Sequence, residues 1–203
     1  MIYRIQNISA LTQEEYLEGY KQMSPERQAK ADRYTRTDDK RRCVFAHSLL
    51  QEMLRDTSQS LPVAIVTDPK GKPRALHSSV QFSISHSGNY VACVTDSSPV
   101  GIDIQTIGNV SPSTIRHTCT EQELLFVWGN NRNEITSPDI ILRFLQVWTA
   151  KEAYLKYTGQ GITAGLRSIA VADESGILRT LPTGQKLITI IEDDYVAAVV
   201  CEQ

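Results

Sequence analysis

The sequence has few of the features that mark secreted, membrane or nucleic-acid-binding proteins. Its four cysteines, Cys43, Cys93, Cys119 and Cys201, lack paired spacing, which favours reduced core thiols over a zinc site or disulfide framework. The formal net charge of -2 argues against nucleic-acid binding through bulk positive charge. No apolar run is long enough to span a bilayer, and residues 1–7 lack the basic and apolar regions of a signal peptide. We therefore expect a cytoplasmic protein with no membrane or nucleic-acid partner.

Helical and strand patterns both occur in each half of the 203-residue chain. Thr12 and Glu15 form a capping box that predicts a helix start, and longer helices are predicted at about residues 38–54 and 139–157. Strands are predicted at residues 61–66, 80–85, 90–95, 100–104, 165–172, 176–181, 185–191 and 195–201. Because the helix-then-strand order occurs twice, the pattern predicts an α+β fold of two similar subdomains.

Basic residues are concentrated between residues 27 and 42. The cations there are Arg27, Lys30, Arg33, Arg36, Lys40, Arg41 and Arg42, against only Asp32, Asp38 and Asp39. Charge runs of this kind are usually a solvated helix face. The recurrence at three- and four-residue steps would also allow the side chains to converge on a phosphate. Lys72, in the Pro- and Gly-containing turn at residues 68–73, is likewise either a solubilising charge or a phosphate ligand.

Polar side chains also mark the predicted strands in the middle of the chain. The segment Ser85-His86-Ser87-Gly88-Asn89 is predicted to turn one strand into its hairpin partner. A lone turn histidine is most often without function, but one flanked by two serines is a candidate for binding an anion. In the next strand Gly101 leaves room for a backbone or ligand beside Asp103, which shares a face with Gln105. Asp103 and Gln105 either hold a hard cation together or are edge-strand polar groups that discourage aggregation.

The segment from Trp148 to Lys156 combines helical spacing with an inward-facing charge. Glu152 follows Trp148 by four residues and precedes Lys156 by four, so the three lie along one ridge with the carboxylate against the apolar side. A carboxylate that faces inward requires a cation or a metal, because an unpaired buried charge is costly. The alternative is an exposed Glu152–Lys156 pair that contributes roughly 0.2–0.5 kcal/mol.

Five segments of the chain, taken in order, resemble motifs of the Sfp-type 4′-phosphopantetheinyl transferases. The later motifs are Phe82-Ser83-Ile84-Ser85-His86-Ser87-Gly88, Val100-Gly101-Ile102-Asp103-Ile104, and Trp148-Thr149-Ala150-Lys151-Glu152-Ala153-Tyr154-Leu155-Lys156, which Gly159-Gln160-Gly161 follows. The earlier ones are the segment from Arg33 through Asp39 to Arg42, and Gly71-Lys72-Pro73. The motifs extend over most of the chain.

The resemblance implies a pseudo-twofold fold of two α+β halves, residues 1–98 and 99–203, with coenzyme A in the cleft between them. It also implies an enzyme that transfers the 4′-phosphopantetheine arm of coenzyme A to a serine of an apo acyl or peptidyl carrier protein. Mg²⁺ is the implied cofactor and adenosine 3′,5′-bisphosphate the implied product. A monomer is expected, because one chain would supply both walls of the cleft.

The resemblance also assigns roles at the reacting groups. Asp103 and Glu152 would hold Mg²⁺, and Glu152, or a water that it polarises, would take the proton of the carrier serine. Lys156 would stabilise charge on the transferred phosphoryl group, with Lys151 as a weaker candidate for the same region. Many family members have glutamate where this chain has Gln105, and an amide oxygen is a weaker ligand for a hard cation. Three-carboxylate coordination is therefore not expected.

Coenzyme A contacts follow from the same resemblance. Ser85 and His86 would bind its phosphates, whereas Arg42 and Lys72 would hold the nucleotide end, with Arg36 as a possible helper. Two other functions remain open alternatives: a binding module that recognises coenzyme A or a carrier protein without catalysis, and a metal-dependent pyrophosphatase that transfers the phosphoryl group to water.

Overall fold

The computed structural model describes residues 1–55, 63–68, 71–130, 137–161 and 165–203. The elements of the first half are β1 (Ile2–Asn7), α1 (Gln13–Gln22), α2 (Pro25–Asp32), α3 (Thr37–Leu54), β2 (Ile65–Thr67), β3 (Pro73–Ala75), β4 (Gln81–Ser87) and β5 (Tyr90–Asp96). Those of the second half are β6 (Val100–Thr106), α4 (Pro112–Thr118), α5 (Glu121–Trp128), α6 (Pro138–Thr158), a 3₁₀ turn (Leu166–Ser168), β7 (Ala172–Asp173), β8 (Gly176–Ile177), β9 (Lys186–Ile191) and β10 (Tyr195–Cys201). Within the described ranges, no helix has the length and apolarity needed to cross a membrane.

The two halves repeat one sheet topology. The order of strands is β1-β5-β4 in the first three-stranded sheet and β6-β10-β9 in the second, and all pairs are antiparallel. In each sheet the first strand of the half pairs with the last, and the last pairs with the strand that precedes it. Helix α3 packs on the first sheet and α6 on the second. The predicted α+β fold of two similar subdomains is therefore confirmed.

Three apolar clusters hold these layers together. One lies between α3 and the first sheet, and a second lies between α6 and the second sheet together with α4 and α5. The third joins the two sheets to each other through residues such as Val94, Ile102 and Val199, all fully buried. The four cysteines are free and buried, as the sequence predicted. The cluster between the sheets fixes how the two halves meet, and hence the geometry of the cleft.

Helix boundaries follow the capping signals with one exception. The predicted capping box of Thr12 and Glu15 opens α1, and Gly159 ends α6 in the left-handed conformation with φ 69°. Helix α3 begins at Thr37, one residue before the predicted start at about residue 38. Its N-cap residue is Arg36, which makes no side-chain capping bond.

Several predicted strands differ from those observed. Strand β4 continues through Ser87, so Ser85 and His86 lie within the strand and only Gly88-Asn89 forms the turn. The predicted strand at residues 165–172 contains a 3₁₀ turn at Leu166–Ser168 and is a strand only at Ala172, and the one at 176–181 is limited to β8. Residues 61 and 62 of another predicted strand lie outside the described ranges. On β4, Ser83 and Ser85 are buried because the second half covers them.

Candidate active site

A cavity of about 370 Å³ lies between the two halves. Its walls are formed by α2, α3, the turn at residues 71–73, β4 and the C-terminal part of α6. Five of the predicted site residues line it: Lys72, Ser85, His86, Glu152 and Lys156. The sequence motifs from both halves are therefore brought together at one concave surface, the usual setting of a small-molecule site.

Glycine at position 101 allows the acidic residues of the two elements to approach. Strand β6 crosses α6 so closely that a Cβ on Gly101 would lie 2.0 Å from the carbonyl oxygen of Ala153. Asp103 on the strand and Glu152 on the helix flank this contact and are buried, with exposed fractions of 4% and 9%. The expectation that Gly101 admits another backbone beside Asp103 is confirmed, and the exposed Glu152–Lys156 pair is ruled out because Glu152 is buried.

Asp103 and Glu152 lie close enough for their charges to interact, and Lys156 is the cation paired with Asp103. Burial, and then the charge of Asp103, raise the pKa of Glu152 above its ordinary value, while Lys156 opposes that shift. Lys156 Nζ donates to Asp103 Oδ1 and to Ser85 Oγ, both at 2.7 Å, and Ser85 Oγ also donates to Asp103 Oδ1 at 2.7 Å. Asp103 Oδ2 is buried and has no hydrogen-bond partner in the described part of the chain. One carboxylate oxygen is therefore available for a cation.

This arrangement suits a divalent cation held by few protein ligands. The described residues contain no cluster of three or more histidine, cysteine or acidic side chains, so the protein would supply only Asp103 and Glu152 as charged ligands. Mg²⁺ commonly binds through one or two carboxylates together with waters and substrate phosphates. The free Oδ2 of Asp103 and the mutual repulsion of the two acids fit such an ion.

Gln105 has a hydrogen-bond partner other than the acid pair. Its Oε1 accepts a hydrogen bond from Ser87 Oγ at 3.0 Å. That oxygen is the atom that would contact a metal, so in this structure Gln105 is held toward β4.

His86 lines the cavity, whereas Arg42 lies beside the hairpin and is not among the described residues that line the cavity. Burial, followed by the charges of Arg42 and Lys156, lowers the pKa of His86, which favours a neutral imidazole at pH 7. Arg42 Nη1 donates to the carbonyl oxygen of Gly88 at 2.8 Å, and its Nη2 pairs with Asp39. Arg42 therefore ties α3 to the tip of the β4–β5 hairpin, next to His86.

Lys72 and Arg36 differ in how closely they approach the cavity. Lys72 Nζ donates to the carbonyl oxygens of Lys156 and Tyr157 at 2.6 and 3.2 Å, so its charge lies at the C-terminal end of α6. Arg36 is exposed at the start of α3 and is absent from the residues that line the cavity in the described part of the chain.

Both halves of the chain match models of one enzyme family. Residues 99–200 match the 4′-phosphopantetheinyl transferase superfamily, and residues 10–98 match the N-terminal model of 4′-phosphopantetheinyl transferase. The chain belongs to this superfamily. Its motifs and its relatives place it with the Sfp-type members, so the predicted family and the predicted class of transferase enzyme are confirmed.

Named relatives agree with this assignment. The chain is 28% identical to the 4′-phosphopantetheinyl transferase Sfp of Bacillus subtilis over 173 residues, covering 84% of this chain and 75% of the relative. It is 31% identical to psf-1 of Bacillus pumilus over 152 residues, covering 72% and 62% of the two chains. For HetI of Nostoc the identity is 28% over 187 residues, covering 87% and 77%. Both of these are also named 4′-phosphopantetheinyl transferases.

Lys151 is remote from the cavity, although it lies within the transferase motif. Its side chain is fully buried on the other side of α6 and forms an ion pair with Glu123 at 2.6 Å. Its Nζ also donates to the carbonyl oxygens of Thr118 and Leu166 at 2.8 and 2.9 Å. The expectation that Lys151 contacts coenzyme A does not fit this position, because all three of its donors are used within the second half.

Three further cavity residues, Arg27 and Lys30 on α2 and Tyr34 just after it, were not assigned to the site by the resemblance. The side chain of Arg27 is only 6% exposed, and its buried Nε has no hydrogen-bond partner among the described residues. A buried guanidinium in that state lacks the anion that would offset its desolvation. The charge run at residues 27–42 carried a signal of an anion site, but it did not show that Arg27 was the buried member.

Proposed function

We propose that the chain transfers the 4′-phosphopantetheine arm of coenzyme A to a serine hydroxyl of an apo acyl or peptidyl carrier protein and releases adenosine 3′,5′-bisphosphate. The observation that carries the proposal is that Asp103 and Glu152, both buried, lie close enough to interact, and that Glu152 lines a cavity together with cations from both halves. Transfer of a phosphoryl group depends mainly on positioning and on charge neutralisation, which such a site supplies.

Mg²⁺ is the proposed cofactor. Asp103 Oδ2 and the carboxylate of Glu152 would hold it, and its positive charge would neutralise the pyrophosphate oxygens during transfer. Support comes from the unpartnered oxygen of Asp103 and from the raised pKa of Glu152. Gln105 is proposed to stay on Ser87 rather than to act as a third ligand.

Glu152 is the proposed base for the carrier serine. Its carboxylate lies on the cavity wall, where the hydroxyl of a carrier serine can approach. Lys156, which now bonds to Asp103 and Ser85, would stabilise negative charge on the phosphoryl group. Catalysis is thus assigned to Glu152, Lys156 and Asp103.

The first half is proposed to hold coenzyme A. Ser85 and His86 would donate to its phosphates, and the unpartnered charge of Arg27, with Lys30 beside the same cavity, would bind a further phosphate. Arg42 and Lys72 would act at the nucleotide end, with Arg36 as a helper at the surface. The contact with Lys72 would require its ammonium group to change partners, since it is bound to α6 carbonyls.

Four further expectations are also proposals. The chain is proposed to divide into functional halves at residues 98 and 99 and to act as a monomer, since one chain supplies both walls of the cavity. The cytoplasm is proposed as its compartment, supported by four cysteines that are all unpaired. Coenzyme A and a carrier protein are its proposed partners.

Intact-mass measurement of purified apo carrier proteins, incubated with the protein, coenzyme A and Mg²⁺, tests the proposal. The transferase adds one phosphopantetheine arm to a carrier. A binding module leaves the carrier mass unchanged and does not consume coenzyme A. A pyrophosphatase consumes coenzyme A while the carrier mass stays unchanged. Either of the last two results, over a panel of fatty-acid, polyketide and peptide-synthetase carriers, would overturn the proposal.

A further inference from the structure

Strands β4 and β6 form a seam between the halves without backbone pairing. The two strands belong to different sheets, and within the described residues no backbone hydrogen bond joins them. The contacts instead link each β4 residue to a β6 residue 18 or 19 positions later, so the strands run side by side in the same direction. Something other than a β-ladder must therefore set their register.

Serine hydroxyls form the two outer contacts of this seam. The backbone N–H of Ile102 donates to Ser83 Oγ at 3.2 Å, and the backbone N–H of Thr106 donates to Ser87 Oγ at 3.0 Å. These N–H groups lie on the edge of β6 that faces away from its partner strand, where they would otherwise be unpaired. The hydroxyls of Ser83 and Ser87 thus accept the hydrogen bonds that the carbonyl groups of a neighbouring strand would otherwise accept.

The middle serine has a different partner. Ser85 Oγ lies between its two neighbours on the same face of β4, but it bonds to the carboxylate of Asp103 and to Lys156. The hydroxyls of Ser83 and Ser87 fix the backbone on either side of the reacting groups. The hydroxyl of Ser85, between them, belongs to the active site. Asp103 therefore lies between two anchored points of β6, at Ile102 and Thr106.

We infer that Ser83 and Ser87 are positioning residues that set the register of the two halves of the active site. They hold the strand that carries Ser85 and His86 against the strand that carries Asp103. This inference rests on the proposed function for its kinetic consequences, but the seam itself is a property of the chain.

A shift of the two halves relative to each other should change kcat more than the KM for coenzyme A. Most of the proposed coenzyme A contacts, at Arg27, Lys30, Ser85 and His86, lie in the first half, so a small shift of the halves should leave coenzyme A binding largely intact. Asp103 and Glu152 lie in the second half, so the same shift would misplace the acid pair relative to the phosphates. A displacement of about 1 Å can lower a rate by roughly a hundredfold.

The test uses Ser83→Ala, Ser87→Ala and the double variant of the full chain, with thermal unfolding to verify that each is folded. We expect the double variant to lose at least about tenfold in kcat, with the KM for coenzyme A within about threefold of wild type. The affinity of Ser83→Ala for Mn²⁺, followed by its electron paramagnetic resonance signal with coenzyme A present, should fall in parallel. Ser83→Ala is the variant for this readout, because Ser87 Oγ also holds Gln105 Oε1. Ser87→Thr, which keeps the hydroxyl, should restore kcat.

Ser48→Ala is the matched control, because among the described residues that hydroxyl bonds to Val44 within α3, at 3.2 Å, and to no residue of the seam. Folded Ser→Ala variants whose kcat and Mn²⁺ affinity stay within about twofold of wild type would overturn the inference. A rise in KM with unchanged kcat would also overturn it, since the hydroxyls would then act in substrate binding. If the wild-type protein modifies no carrier, the proposed function fails, and the Mn²⁺ titration alone decides the role of the seam.

Discussion

Gly101 on β6 and Ala153 on α6 are in such close contact that a Cβ at position 101 would overlap the Ala153 carbonyl group. The backbone of Tyr157 is also within 2.5 Å of that position. Neither obstacle is a flexible side chain, so the strand and helix would have to separate. The separation would carry Asp103 away from Glu152.

We expect Gly101→Ala to abolish transfer and to lower the free energy of unfolding by about 1–3 kcal/mol, the usual cost of overpacking. Gly108→Ala is the matched control, since nothing lies within 4 Å of its added Cβ. Carrier mass and denaturant unfolding measure the two effects. Transfer by Gly101→Ala at the rate of Gly108→Ala would contradict the structural role of this contact.

Glu152→Gln should separate stability from activity. Because the pKa of Glu152 is raised, folding disfavours its carboxylate, and a neutral amide should raise the free energy of unfolding at pH 7.5 in the absence of metal. Transfer should fall by at least about a hundredfold, because the proposed base is lost. Asp103→Ala should also abolish transfer in a folded protein. Full activity of either variant would refute the role of that residue.

Arg27→Met tests whether the buried guanidinium binds a phosphate. Loss of one charged hydrogen bond of about 1.5–3 kcal/mol corresponds to a roughly 10- to 150-fold weaker affinity for coenzyme A. The free protein should become more stable, because Arg27 Nε has no partner to offset its burial. Arg33→Met, at an exposed position on the neighbouring surface, is the control. Isothermal titration with coenzyme A that gives equal affinities for the two variants would exclude Arg27 as a ligand.

His47 predicts a loss of stability in mild acid. Burial, and then the charge of Arg27, lower its pKa from 6.5 to about 4, and neither ring nitrogen has a partner. Above pH 6.5 the ring is neutral in both states, whereas between pH 6.5 and 4 only the unfolded chain binds the proton. The free energy of unfolding should therefore fall by about 2 kcal/mol between pH 7.5 and 5 on account of this residue.

Urea unfolding of His47→Leu at the two pH values measures that contribution. The variant should lose about 2 kcal/mol less than wild type between pH 7.5 and 5. His117→Leu, at an exposed position, should lose as much as wild type. If the free energy of unfolding of His47→Leu fell between the two pH values by as much as that of wild type, other groups would be the cause of the acid sensitivity.

Gln105→Glu should lower the Mg²⁺ concentration that gives half-maximal transfer. The new carboxylate would be a stronger ligand than the amide and would add to the negative charge around Asp103. A magnesium titration of wild type and variant gives the comparison. An unchanged or higher requirement would show that a carboxylate at position 105 does not leave Ser87 to reach the metal.

Local signals in the sequence were sufficient to predict the architecture. Capping pairs such as Thr12 with Glu15 act over three residues, so they do not depend on the rest of the fold. The repeated order of helix and strand also rests on local patterns, and it predicted the two halves. The start of α3 was less certain, because its N-cap residue, Arg36, makes no capping bond that a sequence could reveal.

The details of the site depended on tertiary packing. Lys151 and Glu152 are adjacent and both buried, because α6 is covered on more than one side, so helical periodicity could not assign a direction to each. Composition likewise could not single out Arg27 among the cations of its run. The seam between Ser83 and Ile102 joins residues from different halves, and no local pattern reports such a contact.

Lys72 belongs to the first half, yet its ammonium group neutralises the carbonyl end of a helix of the second half. Chimeras that exchange residues from 99 onward with a homologue would therefore inherit only one partner of this contact. The contact would be preserved in a hybrid only if the corresponding helix of the homologue ended at the same turn. Recombination experiments in this family should choose the crossover point together with the residue at position 72, so that both partners of this contact come from the same parent protein.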